Sequence, residues 1–511
     1  MQLNFLFCCI SIYMVQPGNE IDMNITKNDI FYVLMGIAVA SMGVVAVSNA
    51  DTKIGLYGLL GLMGIAIVMA IIIRPSLGAN ILILVVFTNI SDLLTNQNIP
   101  GIMKPLVVVV ALALVVRYMY AGQIPVWHPK TIRAEILLLA YFLVVTVSYA
   151  VASDKNRALQ EILDLAKDIV IIYCIIFALR EPKLWKQTTW LIILVTAILC
   201  TLSVYQIVTN NYDQTFFHLS SISISKVFGE SSTPRIAGPI NDPNLWGQIL
   251  AAVSTMLIFR IIHEKRRLTK FAGILMLGII LYVLLNTYSR GAYLVLAIDV
   301  VLILFVFEKR FNPLVALAGL SVLILLIPVL PANYRARFDT LFFFTSENGI
   351  YQDSSFRGRT SEMLTGLAMF ASHPVFGVGT ANYPTNYQHY AQLIGIEFRT
   401  EARDPHSLYV QLLAETGILG ALTFLGMVFF IFRAIGKACR AVELSPQLHD
   451  WLPWLNGIRL AILSYLLTSI FLHDAYIRYF WILIAMALAG IQITDTMLKN
   501  SIRRKSIEIR S

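Results

Sequence analysis

A polar loop passes into a long apolar run within the stretch RDPHSLYVQLLAETGILG, residues 403–420. Asp404 suits the N-cap of a helix, and Pro405 suits the first helical position because its missing N–H would be unpaired there anyway. This arrangement predicts that His406 lies in the first helical turn, where lipid gives way to water. Because the positive end of the helix dipole disfavours an imidazolium, we expect His406 to be neutral and able to accept a proton. On spacing alone, helix capping or a contact with a lipid headgroup is the commoner role for such a histidine.

The composition indicates a polytopic membrane protein. The 511 residues are 57% hydrophobic and 14% charged, with a mean hydropathy of +0.72, whereas soluble domains carry about 25% charged residues. The net charge of +9 comes from basic residues in short loops between apolar runs, so it does not indicate a nucleic-acid partner. The five cysteines show no metal-ligand spacing, and neither disulfides nor a zinc site are expected.

About fourteen apolar runs approach the roughly 20 residues that a bilayer-spanning helix requires. They are continuous rather than alternating, which favours helices over a transmembrane barrel. We therefore predict an all-α polytopic membrane protein with about 12–14 transmembrane helices and one long extracytoplasmic loop that contains short helices. The runs cover approximately residues 30–48, 54–73, 77–94, 104–120, 134–152, 166–179, 188–209, 243–262, 270–287, 291–307, 313–330, 407–432, 457–473 and 476–494.

The distribution of Lys and Arg predicts the orientation of the chain. With the N-terminus in the cytoplasm, about 24 of the 39 basic residues fall on the inner side, and the opposite orientation would reverse this bias. Both termini are therefore expected to be cytoplasmic. The predicted divisions are a cytoplasmic or interfacial segment 1–29, transmembrane helices within 30–330, an outer loop 331–406, the last three transmembrane helices in 407–494 and a basic tail 495–511.

Two outer segments are long, residues 210–242 and 331–404. Within the second, apolar residues recur at helical spacing over residues 355–372, which predicts an amphipathic helix. His373-Pro374 should end this helix, since the residue before a proline avoids helical backbone angles. A tight turn is expected next, at residues 376–379, Phe-Gly-Val-Gly.

Several residues in this half of the chain have open roles. Tyr383, Tyr387 and Tyr390 of the outer loop would stack on sugars or pack the loop itself. Glu415 is expected to form an interhelical hydrogen bond. Asp299 falls in the middle of a span, where a carboxylate is costly and often functional, and the sequence offers no evident partner for it.

Three polar residues fall on the same predicted outer surface. Arg235 precedes Asp242-Pro243, a pair that should open a membrane helix as Asp404-Pro405 does, and Arg290 lies between two spans with almost no loop. An arginine fork suits bidentate capture of phosphate oxygens, although a headgroup contact or snorkelling explains either arginine taken alone. Together with a neutral His406, the pair suits attack by a hydroxyl on a phosphate-bearing lipid substrate.

These residues also carry a family resemblance. Over roughly residues 190–430 the chain resembles the O-antigen ligase and polysaccharide polymerase superfamily, with its motifs in the same order and a long outer loop before the last spans. The combination is specific, although no single motif is. The motifs are Ser289-Arg290-Gly291, Arg359, His373-Pro374-Val375-Phe376-Gly377-Val378-Gly379, Pro405-His406-Ser407-Leu408-Tyr409 and Glu415-Thr416-Gly417-Ile418-Leu419-Gly420.

The resemblance implies a glycosyltransferase of the bacterial inner membrane with its active site on the extracytoplasmic face. The donor would be a glycan on a polyprenyl diphosphate and the acceptor a sugar hydroxyl, joined by direct displacement with inversion. Arg235 and Arg290 would hold the diphosphate, and His406 would deprotonate or orient the acceptor. No cofactor is expected, because arginines would replace the metal ion that other enzymes use. Arg357, Arg359 and Arg403 of the long outer loop are candidates for binding the glycan or the acceptor.

Several functions stay open at the level of sequence. A polymerase, a ligase that uses a lipid A-core acceptor and a protein O-oligosaccharyltransferase differ only in the acceptor, which residue spacing does not identify. A transporter or flippase for the same lipid-linked glycan would have internal repeats and charges inside its spans, and the sequence has no evident repeat. A non-catalytic subunit of a polysaccharide assembly complex is a third class, and it would tolerate the loss of His406.

Overall fold

The computed structural model describes residues 64–96, 100–120, 122, 127–226, 232–307, 354–395, 402–472 and 478–508. These residues form fifteen helices and one two-stranded sheet, which confirms the all-α polytopic class. The helices are α1 (Gly64–Ile73), α2 (Pro75–Thr88), α3 (Ile90–Asn96), α4 (Met103–Tyr120), α5 (Ile132–Ser148), α6 (Lys155–Ala178), α7 (Pro182–Thr209), α8 (Pro243–His263), α9 (Arg267–Asn286), α10 (Arg290–Leu302), α11 (Ser354–Ser372), α12 (Tyr383–Ile394), α13 (Leu408–Glu443), α14 (Leu452–Thr468) and α15 (Arg478–Glu508).

Seven helices of the described residues are long and apolar enough to cross a membrane. Eleven of the fourteen predicted apolar runs coincide with helices α2, α4–α10 and α13–α15. The segment 1–29, the runs 30–48 and 313–330, most of the run 54–73 and the first part of the outer loop, 331–353, lie outside the described residues. The total number of spans and the domain boundaries therefore stay predictions.

The chain divides into two units, Met1–Ile73 and Arg74–Ser511. Of the first unit the structure describes the short apolar helix α1. In the second unit, α8 is the central helix. Of its apolar membrane-spanning stretch, 83% is buried, compared with 22% for α9. It packs along α14, while α13 packs along α5 and α6 along α15. An apolar helix buried on all sides must lie inside the bundle, and one exposed on most of its surface must face lipid.

Polar groups cross-link the buried helices. Gln248 of α8 donates from Nε2 to the Tyr465 carbonyl and to Ser469 Oγ, both at 2.8 Å. Asp299 of α10 is completely buried beside Ser464 of α14. Neither carboxylate oxygen of Asp299 has a hydrogen-bond partner among the described residues, so the structure supplies no partner for the group that the sequence left without one.

The outer segment before α8 forms an antiparallel hairpin of β1 (Ser221–Lys226) and β2 (Ser232–Gly238). Ser223 pairs with Arg235 in its register. At the end of this segment Asp242 accepts hydrogen bonds from the N–H groups of Asn244 and Leu245 at 2.7 and 2.9 Å, with Pro243 at the first helical position. The predicted cap of α8 is confirmed, because it depends only on neighbouring residues.

The predicted cap of α13 is wrong. The helix begins at Leu408 with Ser407 at the N-cap, so Asp404 and Pro405 precede it and His406 is not in its first turn. His406 instead adopts a left-handed backbone conformation with φ of 45°. The cause is tertiary: Leu408 N–H donates to the Ser469 carbonyl at 3.0 Å, so the turn after α14 fixes where α13 starts.

A kink at Gly417, with φ of 63°, interrupts α13. The interruption frees the carbonyls of Ala414 and Glu415, which accept hydrogen bonds from Val378 N–H at 2.8 Å and Gly379 N–H at 3.1 Å. A Cβ at Gly417 would lie 2.3 Å from the Val375 carbonyl oxygen. The predicted turn at residues 376–379 is confirmed, and it docks in this kink because buried backbone groups need partners.

Candidate functional site

His406 faces a carboxylate of the outer loop. Its Nε2 lies 3.5 Å from Glu362 Oε2, with 25% of the imidazole and 3% of the Glu362 side chain exposed. This separation is that of an ion pair rather than of a short hydrogen bond. A carboxylate at this distance can stabilise the imidazolium that forms when His406 accepts a proton from a bound hydroxyl.

Glu362 is the residue that sequence reasoning missed. It lies on α11, whose side toward α13 consists mainly of small and polar residues, with Met369 as the apolar exception. Leu364 and Leu367 on the other side are 36% and 42% exposed. The buried side comprises Gly358, Ser361, Glu362, Thr365, Gly366 and Met369. The small residues at 358, 361, 365 and 366 could have indicated the buried side of α11 from sequence, since a stripe of small residues lets a neighbouring helix approach closely.

The close packing of α11 against α13 fixes the position of Glu362 along α13. A Cβ at Gly366 would lie 2.4 Å from Val410 Cγ1, so the two helices touch one turn below the carboxylate. Tyr383, which is fully buried, donates its hydroxyl to the Glu362 backbone carbonyl. The contact between α11 and α13 and the hydrogen bond from Tyr383 therefore both hold the main chain of Glu362. They fix the position from which its side chain reaches His406.

Tyr383 also connects this pair to the kink of α13. Glu415 Oε1 accepts a hydrogen bond of 3.1 Å from Tyr383 N–H at the start of α12, which confirms the interhelical bond predicted for Glu415. Burial, together with the nearby carboxylates of Glu362, Asp404 and Glu415, raises the pKa of the Tyr383 phenol. Tyr383 is therefore a neutral hydrogen-bond donor and not a base.

The loop tyrosines pack the loop. Tyr383, Tyr387 and Tyr390 are 0%, 1% and 7% exposed, and they form one core with Met369, Val378, Ala391 and Ala414. Of the two roles that the sequence left open, packing is the one that the structure supports, because buried rings cannot stack on a sugar. This core makes the outer loop a rigid support for Glu362.

Arg235 braces the site from the hairpin. It is 9% exposed, and its Nε donates to the Thr287 carbonyl while Nη2 donates to Asn244 Oδ1, both at 2.9 Å. Thr287 is the C-cap of α9, where exposed carbonyls attract a cation. These contacts hold the turn that leads to Arg290, so Arg235 positions its neighbour as well as adding charge.

Arg290 is the first residue of α10 and is half-buried. The turn before it is tight, with Tyr288 in the left-handed region at φ of 54°. A Cβ at Gly291 would lie 3.2 Å from Phe471 Cδ2 in the turn after α14. That turn also holds Ser469, which accepts from Leu408 N–H. The turn therefore contacts the starts of both α10 and α13.

The three residues predicted from sequence are thus brought to one end of the bundle. Arg235 contacts the turn before Arg290, and the turn after α14 joins Arg290 to the segment that carries His406. Two arginines and a proton acceptor at the same end of the bundle are suited to an anionic substrate that loses an anionic leaving group.

The secondary candidates lie on two segments, α11 and the stretch of chain before His406. Arg359 precedes Glu362 by three residues on α11, which places both on one side of that helix. Arg357 lies near the start of the same helix, and Arg403 lies three residues before His406. All three are half-buried.

Residues 275–425 match a family model described as O-Antigen ligase. This match confirms the resemblance to the O-antigen ligase and polysaccharide polymerase superfamily over a segment that includes Arg290, Glu362 and His406. Arg235 lies outside the matched segment. No curated protein matches the chain. Together with the apolar helices, the match supports a multi-pass membrane protein with a function of the O-antigen ligase or polymerase type.

Proposed function

We propose that the chain is a membrane glycosyltransferase that transfers or polymerises a polyprenyl-diphosphate-linked glycan onto a sugar hydroxyl. The observation that carries this proposal is the His406–Glu362 pair at the end of the bundle that also holds Arg290 and Arg235. A base, a carboxylate behind it and two guanidinium groups are the parts that such a transfer needs. The family match of residues 275–425 supports the same class of reaction.

In the proposed step the acceptor hydroxyl oxygen attacks the anomeric carbon of the donor sugar. The bond between that carbon and the diphosphate oxygen breaks, and its electron pair leaves with the polyprenyl diphosphate. His406 takes the hydroxyl proton, and Glu362 stabilises the imidazolium. Attack opposite the leaving group inverts the anomeric configuration.

Arg290 stabilises the diphosphate as it gains charge, and Arg235 supports it. A guanidinium presents two parallel N–H groups to phosphate oxygens, an arrangement that an ammonium cannot reproduce. Because these fixed charges take the role that Mg²⁺ has in other transferases, the reaction is proposed to be independent of metal. Arg357, Arg359 and Arg403 are proposed to bind the glycan or the acceptor beside His406.

The proposed setting is the bacterial inner membrane, with both termini cytoplasmic and the site on the extracytoplasmic face, where lipid-linked glycans and lipid A-core acceptors are available. The excess of Lys and Arg on the opposite side of the bundle supports this orientation. Membrane lipids and a polysaccharide assembly complex are the further partners we propose.

The test uses purified full-length protein in nanodiscs, a polyprenyl-diphosphate-linked oligosaccharide and gel separation of the products. We expect a ladder without added acceptor for a polymerase, a single shift with lipid A-core for a ligase, and a shift of a protein acceptor for an oligosaccharyltransferase. His406→Asn should lower the formation of each product at least 100-fold, since asparagine tolerates a left-handed backbone but cannot act as a base. Donor crossing sealed vesicles without any covalent product would contradict the proposal and indicate a flippase.

A further inference from the structure

A basic cavity of about 290 Å³ lies at the far end of α13 from His406. It is formed between the C-terminal part of α13, the start of α5 and the C-terminal part of α15. Its cationic residues are Lys130, Arg133, Arg433 and Lys437. Phe430 of α13 and Asp495 of α15 also line it.

The length of α13 places this cavity at a membrane boundary. Phe430 lies 22 residues after Leu408, and the two parts of α13 on either side of the kink at Gly417 together span at most about 33 Å at 1.5 Å per residue. The hydrocarbon layer of a bilayer is about 30 Å thick. The candidate site at the start of α13 and the basic cavity therefore lie on opposite faces of the membrane, and the cavity is a separate site.

Among the described residues, the four cations form no close ion pair inside the cavity, although Lys130 and Asp495 attract each other. Within the part of the chain that the structure describes, no carboxylate lies within 4 Å of Lys130, Arg133, Arg433 or Lys437. Asp495 is the acidic residue of the lining, and it is engaged by His128 at 3.3 Å and by Lys499 at 2.7 Å. Four cations around one cavity repel each other, and an anion in the cavity would relieve that repulsion.

The walls of the cavity continue into the lipid-facing surface. Phe430 forms one wall, and Arg133 lies over its ring at 5.8 Å from the centroid. Toward the membrane centre the same two helices expose apolar side chains: Ile136 and Leu143 of α5 are 47% and 62% exposed, and Phe429 of α13 is 58% exposed. A ligand here would meet cations at headgroup depth and apolar side chains below them.

We propose that this cavity binds the headgroup of an anionic phospholipid, with the acyl chains lying against α5 and α13. The phosphodiester contacts Arg133, Arg433 and Lys437, and the N-terminal end of α5 adds its positive dipole. Basic pockets between transmembrane helices at the cytoplasmic boundary suit such headgroups. The four cations match best a lipid with two phosphodiester groups, such as cardiolipin.

Native mass spectrometry of the detergent-purified full chain would measure binding of cardiolipin, phosphatidylglycerol and phosphatidylcholine. We expect cardiolipin to bind more tightly than phosphatidylglycerol, and phosphatidylcholine to bind at background level. The variant Arg133→Ala/Arg433→Ala/Lys437→Ala should bind cardiolipin about 100-fold more weakly, the combined effect of three cation contacts at a membrane surface.

The matched control is Arg266→Ala/Arg267→Ala/Lys270→Ala. It removes the same charge from exposed positions at the start of α9, on the same face of the membrane. It should retain cardiolipin binding within about twofold of the unmodified chain. Equal losses in both variants would mean that net charge alone attracts the lipid, and the proposal would be overturned.

Soluble glycerol phosphate and inorganic phosphate separate a lipid site from a phosphate site. Neither should compete with cardiolipin at a hundredfold excess, because they lack the acyl chains that contact the apolar groove. Competition by either would show a site for a free phosphate and would overturn the proposal. Both variants are purified as folded protein and compared by thermal unfolding, so that loss of lipid binding is not loss of structure.

Discussion

Replacing Glu362 by Gln tests how His406 acts, because it removes one charge and keeps the shape of the side chain. At 3.5 Å, opposite unit charges attract by about 1 kcal/mol in bulk water and by about 5 kcal/mol at an effective dielectric constant of about 20. The imidazole is 25% exposed and the carboxylate 3%, so the interaction lies between these limits. A loss of about 2 kcal/mol in the transition state corresponds to a transfer rate about 30-fold lower.

The assay measures initial rates of glycan transfer in nanodiscs at several donor concentrations. We expect Glu362→Gln to lower kcat and to leave the KM for the donor unchanged, because the imidazolium exists only once the proton has moved. The bond from the Tyr383 hydroxyl goes to the Glu362 backbone carbonyl, so the substitution leaves that support in place. Glu443→Gln, an exposed position at the other end of α13, is the charge-matched control.

A second substitution shows whether Glu362 works through His406. In a chain that already carries His406→Asn, Glu362→Gln should cause no further loss, since the cation it stabilises can no longer form. Full activity of Glu362→Gln in the otherwise unmodified chain would refute the reasoning. An equal loss in both backgrounds would mean that the carboxylate acts elsewhere.

Other consequences follow from the same geometry. Arg290→Ala and Arg290→Lys should each lower transfer at least 100-fold with normal membrane insertion, and activity of the lysine variant near that of the unmodified chain would show that a point charge suffices. His406→Gly should raise thermal stability slightly, measured by detergent-solubilised unfolding, because glycine relieves the left-handed backbone at that position; a fall in stability would show that imidazole contacts outweigh the strain. Gly417→Ala should destabilise the chain by about 2–5 kcal/mol, since its Cβ would lie 2.3 Å from the Val375 carbonyl oxygen and its backbone is left-handed; unchanged unfolding would mean that the kink relaxes freely. Transfer should be unchanged in EDTA, and recovery of a lost activity by Mg²⁺ would establish a metal requirement.

The class of the molecule and the positions of most helices follow from sequence for a simple reason. A bilayer-spanning helix needs a long apolar run to satisfy its backbone in lipid, so hydropathy alone marks it. The start of a helix could also be predicted where residues adjacent in sequence form its cap, as at Asp242-Pro243. Arg290 and His406 stood out in combination with Arg235, because a headgroup contact or a helix cap explains each residue alone, whereas the three on one predicted surface suit an anionic lipid substrate.

The start of α13 and the partner of His406 depended on contacts between distant segments. Asp404-Pro405 has the local form of a helix start, but the Ser469 carbonyl, more than 60 positions away, accepts the Leu408 N–H and moves the start of the helix. The apolar residues of α11 predict an amphipathic helix, but they do not mark its buried side. The small residues Gly358, Ser361 and Gly366 lie on the side that is buried.

The sequence by itself determined that this chain is a multi-pass helical membrane protein with arginines and a histidine suited to an anionic lipid substrate. The tertiary structure alone decided that Glu362 lies against His406 and that Arg235 braces the turn before Arg290. The physical reason is the range of the forces: hydropathy and helix caps act between residues a few positions apart, whereas a charge pair forms wherever packing leaves two side chains together. Backbone hydrogen bonds at Gly417 and close contact at Gly366 set that packing.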